Sequence, residues 1–347
     1  MRMRMLIPAA ALLAAPVLSP TAALACATCG CTLDTDDLSA GGGASQWRAD
    51  LQYTYIDQSQ LRSGGHAVSS GAVAAINDNG GSQEVEQDTR NTYLTLGLAY
   101  SPTPDWSIAT QLPYVFRGHS TYGNASRDQL NADSLSSANF AQLGDVRVVG
   151  NYQGLLPTHA LGLELGVKLP TGAYGGQDTR TGATVGHPVN FSSGPNAGSP
   201  MDTSLQPGTG STDIILGASY AQAISQDFDA YINGRFQAAL LQELNSANET
   251  YRPGNTTTIS LGLRYEHSPL AVPQLQLNLT HRSADQGALA DTTDTAGTVG
   301  YLSPGLTLRL GQGLHAYGFV QVPVFSHLDG YQLFPRWTAS AGLSYAF

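Results

Sequence analysis

Three cysteines near the N-terminus are the residues best suited to bind a metal or form a disulfide. They are the only cysteines in the sequence, and Cys26, Cys29 and Cys31 have the spacing C-x-x-C-x-C. Thiolates held this close suit a soft metal such as copper or zinc, although three ligands from one short segment leave the coordination incomplete. In an oxidising compartment the same spacing allows a local disulfide with one cysteine left over. Both interpretations stay open, together with lipidation of Cys26 and contact with a redox partner, whereas Gly30 replaces the histidine that covalent haem needs.

The sequence contains no recognisable catalytic constellation. The patterns G-x-S-x-G and H-E-x-x-H are missing, and Gly208-Thr-Gly-Ser211 lacks the lysine of a P-loop. The eight histidines are scattered, and none lies at metal-ligand spacing from another. We therefore interpret the histidines as loop or interface residues. We expect no enzyme activity and no cofactor, apart from the soft metal that the cysteines could hold.

The stretch before the cysteines has the composition of a secretory signal peptide. Arg2 and Arg4 precede an apolar run from Leu6 to Leu18, and an A-x-A sequence ends at Ala25. This order of segments predicts residues 1–25 as the signal peptide, cleaved after Ala25. Residues 26–45 contain the cysteines and then aspartates and glycines, which indicates a flexible periplasmic lead-in.

The composition of the remaining chain excludes several classes of protein. Of 347 residues, 41% are hydrophobic and 12% charged, and beyond the signal peptide no stretch approaches ~18 consecutive apolar residues, so helical spans are excluded. Lysine and arginine number 16 and form no cluster, so we expect no nucleic-acid partner. The net charge of −10 lies mainly in predicted loops, where we expect solvated carboxylates.

Residues 337–347 alternate with a period of two, which is the pattern of a β-strand. The apolar face carries Trp337, Ala339, Ala341, Leu343, Tyr345 and Phe347. A tilted membrane-crossing strand needs roughly 9–11 residues, and this segment has that length. The ending resembles the C-terminal strand of Gram-negative outer-membrane barrels, so Tyr345 and Phe347 are predicted as a signal for the barrel assembly machinery.

The same rhythm predicts twelve strands after the lead-in. They are residues 46–57, 89–100, 106–116, 143–153, 159–169, 211–223, 227–241, 255–267, 273–282, 299–310, 314–325 and 337–347. The connections alternate between long and short, and the long ones include 117–142, 170–210 and a last loop at 326–335. This alternation and an even strand number are typical of bacterial outer-membrane barrels. We therefore predict an all-β fold, a transmembrane antiparallel β-barrel of about 12 strands over residues 46–347, located in the outer membrane.

Charged residues on the polar faces of these strands are predicted to face the lumen. A charge at the hydrocarbon midplane costs ~2–4 kcal/mol, so these side chains must point inward. The lumen-lining candidates are Asp145, Arg147, Glu164, Lys168, Asp229, Arg235, Arg264, Glu266 and Arg309. Their mixed signs allow either a paired network that fills a small lumen or a selectivity lining for a solute. Twelve strands lie between the filled interior of ~8 strands and the aqueous channel of 16–18, so strand number does not decide.

Three segments in the middle of the chain carry a resemblance to a known family. They are Leu143-Gly-Asp-Val146, Leu163-Glu-Leu-Gly-Val-Lys-Leu-Pro-Thr-Gly172 and Leu205-Gln-Pro-Gly-Thr-Gly-Ser-Thr-Asp213. Residues 140–347 resemble the outer-membrane transporters grouped with the meta-pathway of phenol degradation, which are distantly similar to hydrophobic-compound and fatty-acid channels. The resemblance implies a barrel and transport, but it brings no substrate residues. The C-x-x-C-x-C segment departs from that family.

We therefore expect a passive outer-membrane channel for a small solute, which the resemblance allows to be hydrophobic. The expected partners are outer-membrane lipid, the barrel assembly machinery and the solute. The alternative is a structural barrel, or one that binds a metal or a periplasmic redox partner through its cysteine segment. A lipid-modifying outer-membrane enzyme is a third alternative, for which no motif is present.

Overall fold

The computed structural model describes residues 47–347, and their architecture is all-β. The predicted signal peptide and the segment with Cys26, Cys29 and Cys31 lie outside the described residues. No helix within the described range is long and apolar enough to cross a membrane. The strands are β1 Trp47–Gly64, β2 His66–Ala67, β3 Glu86–Thr103, β4 Trp106–Thr121, β5 Ser136–Leu143, β6 Arg147–Tyr152, β7 Leu161–Lys168, β8 Gly175–Gln177, β9 Thr184–Gly186, β10 Ser211–Ala223, β11 Phe228–Gln242, β12 Thr256–Tyr265, β13 Ala271–Arg282, β14 Gly297–Arg309 and β15 Leu314–Ala346; helix α1 spans Ser70–Asp78.

Eleven of these strands form a closed antiparallel barrel, in the order β1-β3-β4-β6-β7-β10-β11-β12-β13-β14-β15, and β15 pairs again with β1. A ring of antiparallel neighbours closes only with an even number of crossings. The 33-residue β15 turns back at Gly330, whose φ is 59°, so this one strand crosses the barrel wall twice and provides the twelfth crossing. Its first arm pairs with β14 up to Leu328, and its second arm pairs with β1. The prediction of about 12 crossings is confirmed.

Several predicted boundaries are wrong, and they err at the same end of the barrel. The predicted loop 326–335 lies inside β15, and β5 occupies part of the predicted loop 117–142. The predicted strand 143–153 contains β6 and only the last residue of β5, and both β5 and β6 pair with β4. Backbone pairing continues here after the apolar alternation has stopped, so a pattern based on apolar residues ends the strands too early.

The outer wall carries an apolar belt. Exposed side chains on it include Leu94, Leu96, Leu98, Leu163, Leu165, Val167, Leu261, Leu263, Leu275, Leu277, Leu279, Leu302, Leu306, Val320 and Val322. Near the short turns, aromatic rings pair at Trp47–Tyr100, Trp106–Tyr152 and Phe228–Tyr265, with centroids 4.6, 4.6 and 5.0 Å apart. An apolar band bordered by aromatic residues is the outer surface of a transmembrane barrel. The exposed Arg90 lies above the belt, so the long-loop ends of the strands project beyond the hydrocarbon.

On the inner wall, aromatic rings lie over glycines of neighbouring strands. The buried rings of Tyr231, Phe319 and Tyr317 cover Gly262, Gly305 and Gly342. A Cβ atom at Gly262 would lie 2.0 Å from the Tyr231 ring, and one at Gly342 would lie 2.4 Å from Tyr317. The glycines therefore allow large rings to fill this side of the barrel.

We predict that Gly262→Ala destabilises the barrel by about 1–3 kcal/mol, because the added methyl group displaces the packed Tyr231 ring. The matched control is Gly234→Ala on the adjacent strand, where nothing lies within 4 Å of the added Cβ atom. The free energy of unfolding of both variants is measured by guanidinium titration in lipid vesicles. Equal effects of the two substitutions would contradict this packing.

Candidate functional site: the polar lumen and the loop that enters it

Residues opposite one another in paired strands share a face, so the register assigns the inner wall. One line across β6, β7 and β10 contains Arg147, Lys168 and Asp213. A second line contains Glu164 on β7 and Arg235 on β11, with Gly217 of β10 between them. Lys168 and Asp213 are buried, whereas Val167 and Leu169 on either side of Lys168 are exposed on the outer wall, so these lines face inward.

Lys168 lies at the junction of the three segments that carry the family resemblance. It is the only lysine of the sequence, and it is 3% exposed. Its Nζ donates to Asp145 Oδ2 at 2.7 Å, Thr209 Oγ1 at 2.6 Å and the Ser211 carbonyl at 2.7 Å. Asp213 Oδ1 is 3.4 Å away. The ammonium therefore has a partner for each of its three protons and lies between two carboxylates.

Asp145 connects the same junction to the backbone of two loops. Its Oδ1 accepts from Gly172 N at 3.1 Å, and its Oδ2 accepts from Thr209 N at 3.0 Å. The two loops touch here, because a Cβ atom at Gly208 would lie 2.4 Å from Asp145 Oδ1 and 2.8 Å from the Gly172 carbonyl oxygen. The glycines of the three segments thus permit a close approach that no larger residue allows.

The other candidates predicted from the sequence lie closer to the short turns. Arg235 reaches over Gly217 to Glu164 and forms a bidentate pair, with contacts of 2.7 and 2.6 Å. Arg264 stacks over the Tyr231 ring at 4.8 Å and is opposite Asp229, and Arg309 pairs with Glu266. The side chains of Arg147 and Arg235 remain accessible to solvent, and 39% of the Arg235 side chain is exposed. Accessible charges on an inner wall indicate solvent space within the barrel.

At the long-loop end, the segment 200–206 enters the barrel and rests on the inner face of β4. The buried guanidinium of Arg117 donates to the carbonyl oxygens of Leu205 and Gln206. It also donates to Asn91 Oδ1 and, at 2.9 Å, to the Tyr93 hydroxyl of β3. Leu205 is fully buried beside Met201 in a small apolar cluster. One arginine thus ties the loop that follows β9 to the wall.

A second loop contacts this segment, because Thr203 donates to the Leu289 carbonyl oxygen of the β13–β14 loop. At the same end of the barrel, α1 packs Val73 and Ala74 against Leu61 of β1 and Leu333 of β15. Carboxylates in these loops are buried, among them Glu84, Asp202, Asp285, Asp291 and Asp294. The expectation that the acidic excess is solvated surface is wrong for these five. Burial raises the pKa of Asp291 to about 6.

Sequence reasoning missed several residues of this region. Thr209, Ser211 and Asp213 lie in one of the three segments that carry the family resemblance, but no pattern in the sequence indicates their direct contact with Lys168. Arg117 and His119 lie on β4 beyond the clean alternation, where no apolar face marked their direction. Arg117 is two residues after Val115 on β4, so the two side chains share the inward face, and this spacing could have identified Arg117 from the sequence.

Comparison with protein-family models gave no match, and comparison with curated proteins gave none. Among solved structures, the chain is similar to an outer-membrane channel from Pseudomonas putida F1, with a TM-score of 0.61, 14% identity and coverage of 91% of this chain and 100% of that chain. It is also similar to the translocator domain of the autotransporter NalP from Neisseria meningitidis, with a TM-score of 0.48, 11% identity and coverage of 90% and 92%. The toluene transporter TbuX from Ralstonia pickettii matches with a TM-score of 0.42 and 10% identity, and the match covers 88% of this chain and 90% of that chain. The first comparison establishes the fold class, a closed β-barrel of the outer-membrane type.

We predict that Lys168→Met, which keeps the length of the side chain, destabilises the barrel by about 3–5 kcal/mol, because two buried carboxylates lose their cation. Arg235→Gln is the matched control, since its pair is partly exposed and screened and is expected to contribute about 0–1 kcal/mol. The variants are unfolded with guanidinium in lipid vesicles, and the folded fraction is detected by the heat-dependent shift in mobility of the barrel on gels. A loss for Lys168→Met no larger than that for Arg235→Gln would contradict the junction.

Proposed function

We propose that the protein is a passive outer-membrane channel for a small solute. The observation that carries this proposal is the accessible charge of Arg147 and Arg235 on the inner face of a closed wall. In a barrel filled completely by its own side chains, these arginines would be buried. Water and a small solute can occupy the space beside them, and the apolar belt leaves no other aqueous route across a bilayer.

The inward loop makes the proposed passage narrow at its long-loop end. In an outer membrane this end faces outward, and the short turns, the start of β1 and the end of β15 face the periplasm. The solute then meets the covering loops and the segment held by Arg117 before it reaches the charged section at Glu164 and Arg235. Such an order suits selection of a small solute over a large one.

The finer proposal concerns the kind of solute. The similar fold of the Pseudomonas putida protein, which is itself an outer-membrane channel, supports transport in general. The resemblance of the three junction segments to phenol-pathway transporters supports a small solute of hydrophobic or weakly polar character. The proposed outer-membrane assembly through Tyr345 and Phe347 agrees with their exposed position on the outer wall.

We predict that the purified protein conducts ions in planar bilayers and that Arg147→Glu shifts its permeability ratio several-fold towards cations. The reason is that the substitution replaces a positive charge in the passage with a negative one. Arg90→Glu on the outer wall is the matched control and leaves the ratio unchanged.

Two outcomes would contradict the proposal. One is a sealed barrel without conductance, and the other is an equal shift in both variants. For the solute, uptake of phenol by a deletion strain is compared with uptake of a sugar of similar size. Loss of phenol uptake alone supports a hydrophobic solute, and loss of sugar uptake alone overturns that finer proposal.

A further inference from the structure

Three potential metal ligands meet where the inward loop, β4 and the segment before β3 come together. They are Glu84, His119 and Asp202, and one ligand atom from each lies within 4.8 Å of the others. All three residues are buried, with exposures of 3%, 2% and 8%. The three come from distant parts of the sequence and are brought together only by the loop that Arg117 ties to the wall.

Two of these side chains carry a buried polar atom that has no hydrogen-bond partner in the described part of the chain. These atoms are His119 Nε2 and Asp202 Oδ2. A buried polar group that lacks a partner is destabilising by roughly 1–3 kcal/mol, and such groups are rare in native proteins. Both atoms are of types that bind metal ions.

The surroundings hold the ligands in an orientation suited to binding. His119 Nδ1 lies 2.8 Å from Thr89 Oγ1, so a proton on Nδ1 leaves the lone pair of Nε2 available to a metal ion. Thr121 donates its hydroxyl to Glu84 Oε1. Outer hydrogen bonds of this kind fix the tautomer of a ligating histidine and the direction of a carboxylate.

We propose that Glu84, His119 and Asp202 bind a divalent transition-metal ion, with zinc as the ion that fits best. One imidazole and two carboxylates suit zinc, while calcium and magnesium prefer oxygen ligands alone. Ligand atoms around a tetrahedral zinc are about 3.4 Å apart, so the three ligand atoms need to approach one another by at most about 1.4 Å. Water can take the fourth position.

The cluster places the carboxylates of Glu84 and Asp202 together in a buried site, where their like charges repel each other. A divalent ion would balance the two carboxylate ligands and remove the source of this repulsion. The bound ion would also link the inward loop to β4 and to the segment before β3, and so hold these three segments together at the long-loop end of the barrel.

The test uses the full mature chain in detergent, with Cys26, Cys29 and Cys31 replaced by serine so that they contribute no metal site. After treatment with a chelator, Zn²⁺ binding is measured by calorimetry and by metal analysis after dialysis. We expect one zinc ion per chain, and binding at least tenfold weaker in Asp202→Asn and His119→Gln. Thr89→Val, which leaves all three ligands in place, is expected to weaken binding about tenfold.

The matched control is His281→Ala. This histidine also contacts a threonine, with Nδ1 2.9 Å from Thr298 Oγ1, but it is exposed and lies outside the three-residue cluster. Its loss is expected to leave zinc binding unchanged. Absence of stoichiometric zinc from the cysteine-free chain overturns the proposal, whether or not the variants fold. Unchanged affinity in a folded Asp202→Asn variant, or an equal loss in His281→Ala, also overturns it.

Discussion

The structure depends on the requirement that every backbone N–H and C=O group in a hydrocarbon layer has a partner within the protein. A sheet meets this requirement only when it has no free edge, so the first strand must find the last. Here the second arm of β15 pairs with β1 from Arg48 opposite Ala346 to Arg62 opposite Gln332. Trp47 and Phe347 extend the seam with two further backbone hydrogen bonds. The reversal at Gly330 matters for the same reason, because it gives the ring its even number of crossings.

Closure also decides what the interior contains. Once the apolar face of each strand points to lipid, the alternate face brings polar and charged groups into a confined space. They are stabilised there in two ways. Around Lys168, charges are fully buried and every proton of the ammonium has an acceptor, whereas the Glu164–Arg235 pair keeps contact with solvent. The first arrangement suits a rigid anchor for loops, and the second suits a passage.

The alternation of residues was enough to predict the barrel and the approximate number of crossings. It failed above the belt, where β1, β3, β4 and β15 continue in water and neither face needs to be apolar. It could not predict that Asp145, Lys168 and Asp213 meet, because those contacts depend on loops folding back across glycines. The sequence could not predict the cluster of Glu84, His119 and Asp202 either, because no local spacing relates ligands from three separate segments. A pattern read along one strand reports which side a residue faces and carries no information on what lies opposite it across the lumen.

The seam between β1 and β15 is the most direct test of this account. In a chain with its native cysteines replaced by serine, Tyr53→Cys combined with Ala341→Cys places thiols at opposite positions of the seam. A short thiol crosslinker should join these two positions in membranes. It should not join Tyr53→Cys to Tyr345→Cys, because Tyr345 is opposite Ala49, about 14 Å along the strand. Crosslinks mapped by mass spectrometry at the second pair, or at neither, would contradict the closed barrel.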